Sequence, residues 1–98
     1  MAEPRETAEH VLRRLLELRA SLSPSIADVA AVASEVRLPA GSNSTPANNA
    51  RVEVWLAIRK VVRTLEGNNP ATSELTAFWR RAIDLTQLWL EAIDLNPA

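Results

Sequence analysis

Apolar residues recur along this chain with the spacing of an amphipathic helix, four times over. In the first stretch Ala8, Val11, Leu12, Leu15, Leu16 and Leu22 share a face. In the second, Ile26, Val29, Val32, Ala33 and Val36 do. The third lines up Ala47, Val54, Trp55, Ile58, Val61, Val62 and Leu65, and the fourth Leu75, Phe78, Trp79, Ala82, Leu85, Trp89 and Ile93. No stretch keeps the two-residue period of a strand for long enough to predict one, and no internal repeat is visible.

Proline and glycine place the boundaries. Glu3-Pro4, Ser23-Pro24, Thr45-Pro46 and Asn69-Pro70 each read as an N-cap followed by proline at the first helical position. Proline fits there because its missing N–H would have no intrahelical partner anyway. Gly67, after Glu66, suits the left-handed position that closes a helix. The pattern predicts helices at about 4–22, 24–37, 46–66 and 70–95. The one low-complexity stretch is LPAGSNSTPANN, residues 38–49, a polar connection expected to be the most mobile part of the chain. The other two connections are short, which favours antiparallel neighbours. The predicted fold is all-α, an antiparallel four-helix bundle forming a single domain over 1–98.

Composition narrows the chemistry. The 98 residues are 47% hydrophobic and 23% charged, an ordinary globular balance. Cysteine is absent, which excludes disulfides, thiolate metal sites and a thiol nucleophile; a single histidine excludes a multi-histidine metal site within one chain. No metal and no cofactor are expected. The net charge of −1 and a pI near 5.8 give no general attraction to nucleic acid or an anionic membrane. No apolar run approaches the ~20 residues of a spanning helix, and the N-terminus does not read as a signal peptide, so a cytoplasmic location is expected.

Polar residues on apolar stripes are the candidates for a site. Arg19 falls within about 40° of the centre of the first helix's apolar face, taking ~100° per residue. Arg51 falls near the centre of the third helix's face. Two inward arginines suit a carboxylate or phosphate ligand, but an up-down bundle separates these two by about 15 Å or more. Each is therefore expected to lay its stem on the core and pair locally, Arg19 with Glu66 or Glu74, Arg51 with Glu91 or Asp94. Thr86 should bond its own helix backbone. His10 and Lys60 fall on polar faces and are expected to be exposed and inert, and the run Arg59, Lys60, Arg63 to be a solvated face. Trp55, Trp79 and Trp89 face inward among Ala30, Ala33, Ala50, Ala82 and Ala92. That mix suits large-against-small packing, or an apolar pocket for a flat ligand.

Some apolar residues remain once the core is counted. Val52 and Leu56 point away from the core face of the third helix, and Leu88 and Leu95 from that of the fourth. The polar stripe of the fourth helix (Thr76, Arg80, Asp84, Gln87, Glu91, Asp94) is narrow. A helix that is apolar around most of its circumference is covered on more than one side, here by another molecule.

Two stretches resemble known families. Ser25 to Ala33, SIADVAAVA, resembles the first helix of the helix-turn-helix in bacterial repressors of the LacI type, which implies DNA binding. Ser34 stands where that motif has its turn glycine, and LPAGSNST supplies no recognition helix. In size and helical class the whole chain resembles the all-α chorismate mutases. Asn49-Ala50-Arg51-Val52-Glu53 is similar to the Arg-Glu pair opening that family's second helix, and Leu85-Thr86-Gln87 to its C-terminal glutamine segment. This implies cationic groups around a dicarboxylate substrate. Against it, Pro24 interrupts the long first helix the family requires, no lysine matches the one in that helix, and Gln87 falls on the outer stripe. Regular proline starts and clean amphipathicity also suit a designed bundle, whereas ten arginines to one lysine and the untidy loop do not.

The expectation is a non-catalytic interaction or oligomerisation module, with a protein partner or a second copy of the chain on the apolar surface of helices three and four. Val52, Leu56, Leu88 and Leu95 would be buried in the contact, and Arg59, Arg63, Arg80 and Arg81 would orient it from the rim. The alternatives are a small apolar or anionic ligand held by Arg19, Arg51, Trp55, Trp79, Thr86 and Trp89, or a divergent chorismate-mutase-like enzyme.

Overall fold

In the computed structural model, which describes residues 4–21, 25–67 and 72–95, four helices follow one another: α1 (Pro4–Ala20), α2 (Ile26–Val36), α3 (Pro46–Glu66) and α4 (Thr72–Leu95). Each packs on its neighbours in sequence, and α1 closes the ring against α4; among the described residues the backbones of the diagonal pairs stay apart. Arg5, in the first turn of α1, reaches Asp94 in the last turn of α4, and His10 reaches Glu35 near the end of α2. Arg51 of α3 lies over Trp89 of α4, and Lys60 lies over Phe78. Partners whose numbers rise on one helix as they fall on the next show that these helices run antiparallel. The result is the predicted all-α four-helix bundle, 43 × 24 × 23 Å.

The core is built from one stripe per helix. Ala8, Val11, Leu15 and Leu18 come from α1, and Val29, Val32, Ala33 and Val36 from α2; Val54, Ile58 and Val61 come from α3, and Trp79, Ala82, Ile83 and Trp89 from α4. The α1 stripe corrects the sequence reading in one place. Leu18, which the pattern omitted, is buried, while Leu16 is 41% exposed. The spacing 8, 11, 15, 18 is a narrow seam, and Leu16 stands a further ~100° round the helix from Leu15. Ile26, the first residue of α2, is also exposed, because it precedes the turn that enters the core. Leu22 lies outside the described residues.

Thr45 and Pro46 start α3 as expected. Thr45 is extended, its Oγ1 accepts the Asn48 N–H at 3.1 Å, and Pro46 follows. Such a cap contributes about 1 kcal/mol. The start of α2 falls at Ile26, with Ser25 in the N-cap position and no side-chain cap bond. The Glu3, Ser23-Pro24 and Asn69-Pro70 signals lie outside the described residues.

Gly67 corrects another expectation. It ends α3 at φ −71°, ψ 152°, its N–H donating to the carbonyls of Arg63 and Thr64, so the chain leaves in an extended conformation without a left-handed residue. The positive φ belongs to Gly41, at 85°, in the connection between α2 and α3. That connection is stitched by hydrogen bonds. The Ser42 hydroxyl donates to the Pro39 carbonyl at 2.7 Å, and the Asn48 amide donates to the Asn43 carbonyl at 2.8 Å.

Candidate functional site

The predicted interaction residues divide equally between α3 (Val52, Leu56, Arg59, Arg63) and α4 (Arg80, Arg81, Leu88, Leu95). Arg51 over Trp89 and Lys60 over Phe78 fix the α3–α4 register and set Val52 level with residues 86–88. Leu56 is 50% exposed, Leu88 53% and Leu95 79%; Val52 is half-buried. Arg59, Arg63, Arg80 and Arg81 are all exposed. Leu56 and Arg59 lie on the outward side of α3, and Leu88 and Leu95 are one heptad apart on α4.

Leu56 stands between two shallow depressions. One, between α3 and α4, is lined by Glu53, Leu56, Ala57, Lys60, Phe78 and Arg81. The other is lined by Leu56, Arg59, Lys60, Arg63 and Thr64. Lys60 is therefore more than a solvated charge: its ammonium lies 5.0 Å above the Phe78 ring. A third cleft runs between α2 and α3. Its α2 wall is Ala30, Ala33, Ser34 and Arg37, and its α3 wall is Trp55, Arg59, Val62, Arg63 and Glu66. The alanines of α2 leave room there that larger side chains would fill.

Trp55 belongs to this cleft. It is half-buried, with the Arg59 guanidinium 5.0 Å above its ring. Trp79 and Trp89 are 4% and 1% exposed and are part of the core. The three tryptophans expected to face inward thus divide into two fully in the core and one, Trp55, packed against the core at its edge. The helical phase of Trp55 lies at the edge of the α3 stripe, and only the neighbouring helix decides which side of such an edge is covered.

Arg51 overturns the pairing expected of it. Its Nε donates to the Val36 carbonyl at 2.7 Å, and its Nη2 donates to the carbonyls of Glu35 at 3.2 Å and Arg37 at 3.4 Å. These are carbonyls at the end of α2, which that helix cannot satisfy itself. The guanidinium also lies 5.5 Å from the Trp89 ring centre. Burial lowers its pKa from the usual arginine value, yet arginine remains charged throughout the physiological range. Neither Glu91 nor Asp94 is its partner; Asp94 pairs with Arg5.

Arg19 is exposed, and among the described residues it forms no ion pair with Glu66 or Glu74. It lies near the end of α1, and Arg51 near the start of α3, so the two stand toward opposite ends of the bundle and do not share a pocket. Thr86 is fully buried, and its hydroxyl donates to the Ala82 carbonyl at 2.7 Å, the back-bond expected of it. Gln87 is exposed, and Glu53 lines the α3–α4 depression rather than accompanying Arg51. His10 is exposed but not inert, since its Nε2 lies 3.1 Å from Glu35 Oε2 and links α1 to α2.

Among the described residues no three His, Cys, Asp or Glu side chains gather as metal ligands, and no helix is long and apolar enough to cross a membrane. No family model, no curated protein and no solved structure matches this chain.

Proposed function

We propose that this bundle is a non-catalytic self-association module whose contact surface lies on the outer sides of α3 and α4. The observation that carries the reading is that Leu56, Leu88 and Leu95 are at least half exposed beside a core that is already filled. Burying a leucine fully stabilises by roughly 1.5–3 kcal/mol. Leucines exposed to this degree yield roughly 3–5 kcal/mol per copy when fully covered, near the low end of the roughly 4–15 kcal/mol that association costs in lost freedom. The contact therefore needs more than leucine, and Arg59, Lys60, Arg63 and Arg81 around Leu56 supply polar recognition at its rim.

Native mass spectrometry of the purified chain at low micromolar concentration tests this directly. A dimer or higher species is expected, and Leu56→Glu with Leu88→Glu should shift it to monomer while the helical circular dichroism is retained. A wild-type monomer, or a double variant that associates as the wild type does, would overturn the reading.

Of the residues of the ligand-pocket alternative, Trp55 lines a cleft, and the others favour that reading less. Two of the three Arg51 guanidinium nitrogens are engaged by α2, Trp79 and Trp89 are packed in the core, and Arg19 stands apart.

A further inference from the structure

We propose that the occupant of the α2–α3 cleft is the α4 helix of a second copy of this chain, docked through the stripe Asp84, Leu88, Glu91 and Leu95. This inference rests on the self-association reading; it keeps Leu88 and Leu95 of α4 in the contact and seats them in the α2–α3 cleft, which Leu56 does not line.

The cleft has a defined character. Trp55 and Ala33 form apolar walls, Arg37, Arg59 and Arg63 line it, and Glu66 is its one acid. Among the described residues none of the three arginines has a carboxylate partner. Arg59 is held against the Trp55 ring, which fixes one guanidinium at the surface in advance of any contact. A complement to such a cleft is a helix face that alternates acid and hydrophobe.

That face is present on α4. Asp84, Leu88, Glu91 and Leu95 are spaced by four, three and four residues and so form one stripe; all four are exposed. Leu88 and Leu95 are among the most exposed large apolar residues described. From Asp84 to Leu95 the stripe is about 16 Å long, as is the α3 wall from Trp55 to Glu66. Three cations and one acid thus face two acids and two leucines over matching lengths.

The cleft and the stripe are different surfaces of one chain. The cleft lies between α2 and α3, whereas α4 packs beside α3 and α1. Their union is either reciprocal, each cleft holding the other copy's α4 in a two-fold dimer, or heterologous, each copy joining the next in a ring or a chain.

Charge reversal with mixing tests this. One variant carries Arg59→Glu and Arg63→Glu, the other Asp84→Lys and Glu91→Lys. All four positions are exposed, and circular dichroism checks that both variants keep their helices. Each alone should associate at least about tenfold more weakly than the wild type. Mixed in equal amounts they should recover association, because an intact stripe then meets an intact cleft and the reversed surfaces also match. Native mass spectrometry identifies the recovered species as hetero-oligomers by mass. Should a double variant lose its helices, the single variants Arg63→Glu and Glu91→Lys are mixed instead. Wild-type oligomers that both variants still form, or that mixing does not restore, would overturn the pairing while leaving self-association standing. A monomeric wild type would overturn both.

Discussion

Arg51 of α3 donates from Nε to the carbonyl of Val36, 2.7 Å away, and so fastens the end of α2 to the start of the next helix. At 11 residues α2 is shorter than an isolated helix needs to be stable in water, and it has no basic residue in its last turn. Arg51 supplies from outside both the donors and the positive charge that a helix C-terminus favours. The same charge opposes the dipole of α3, but Arg51 lies beyond the first turn of α3, where that effect has faded. The favourable term wins.

Arg51→Ala should therefore cost about 1–3 kcal/mol, since it leaves the part-buried Val36 carbonyl without its donor. For a domain of this size that lowers the Tm by several degrees, about 4–8 °C for each kcal/mol. Arg51→Lys keeps the charge but lacks the planar fork and should recover only part of the loss. Thermal and urea unfolding followed by circular dichroism would measure both. If Arg51→Ala unfolds as the wild type does, the capping role is wrong.

Thr86 offers the opposite test. Its hydroxyl is buried and bonds within its own helix, to a carbonyl already used by the helical ladder. Thr86→Val keeps the shape and removes a buried polar group, so it should be neutral or slightly stabilising. A loss of more than about 1.5 kcal/mol would show that the hydroxyl has a further partner, and would reopen the pocket reading.

The two glycines should respond differently. At Gly41 an added Cβ would meet nothing within 4 Å, but φ is 85°, so Gly41→Ala should cost about 1–2 kcal/mol in backbone strain alone. At Gly67 φ is ordinary, and the nearest heavy atom to an added Cβ is the Thr64 carbonyl oxygen at 3.4 Å. Gly67→Ala should therefore lie between neutral and about 1 kcal/mol stabilising, through the less flexible unfolded chain. A Gly41→Ala midpoint at or above the wild-type value would contradict the first assignment, and a Gly67→Ala midpoint below it the second.

The His10–Glu35 contact joins α1 to α2, is half exposed at both ends, and is an ion pair only when the imidazole is protonated. Exposed pairs contribute about 0–1 kcal/mol and are screened by salt. A double-mutant cycle of His10→Ala and Glu35→Ala should give a coupling within that range at low salt, shrinking further at 1 M. A coupling well above 1 kcal/mol would mean that the bridge has a desolvated role the fold does not suggest.

By itself the sequence determined the number of helices, their places within a few residues, the core positions of α2 apart from Ile26, and the cap of α3. These follow from local rules, the period of apolar residues and the chemistry of threonine and proline at a helix start. It also marked Leu56, Leu88 and Leu95 as surplus to the core, because their angular positions lie outside the apolar stripes. Tertiary structure alone decided the partners of the charged residues. A helical wheel ranked Arg51 as inward, yet a guanidinium on a long stem reaches whichever acceptor the neighbouring helix presents. That acceptor was a backbone end, which carries no signature in side-chain pattern. The same holds for Trp55, which lies at the edge of its stripe and lines a cleft because the alanines of α2 leave it uncovered. Stripe membership depends on the angle around one axis; burial and pairing depend on how four axes are set against each other.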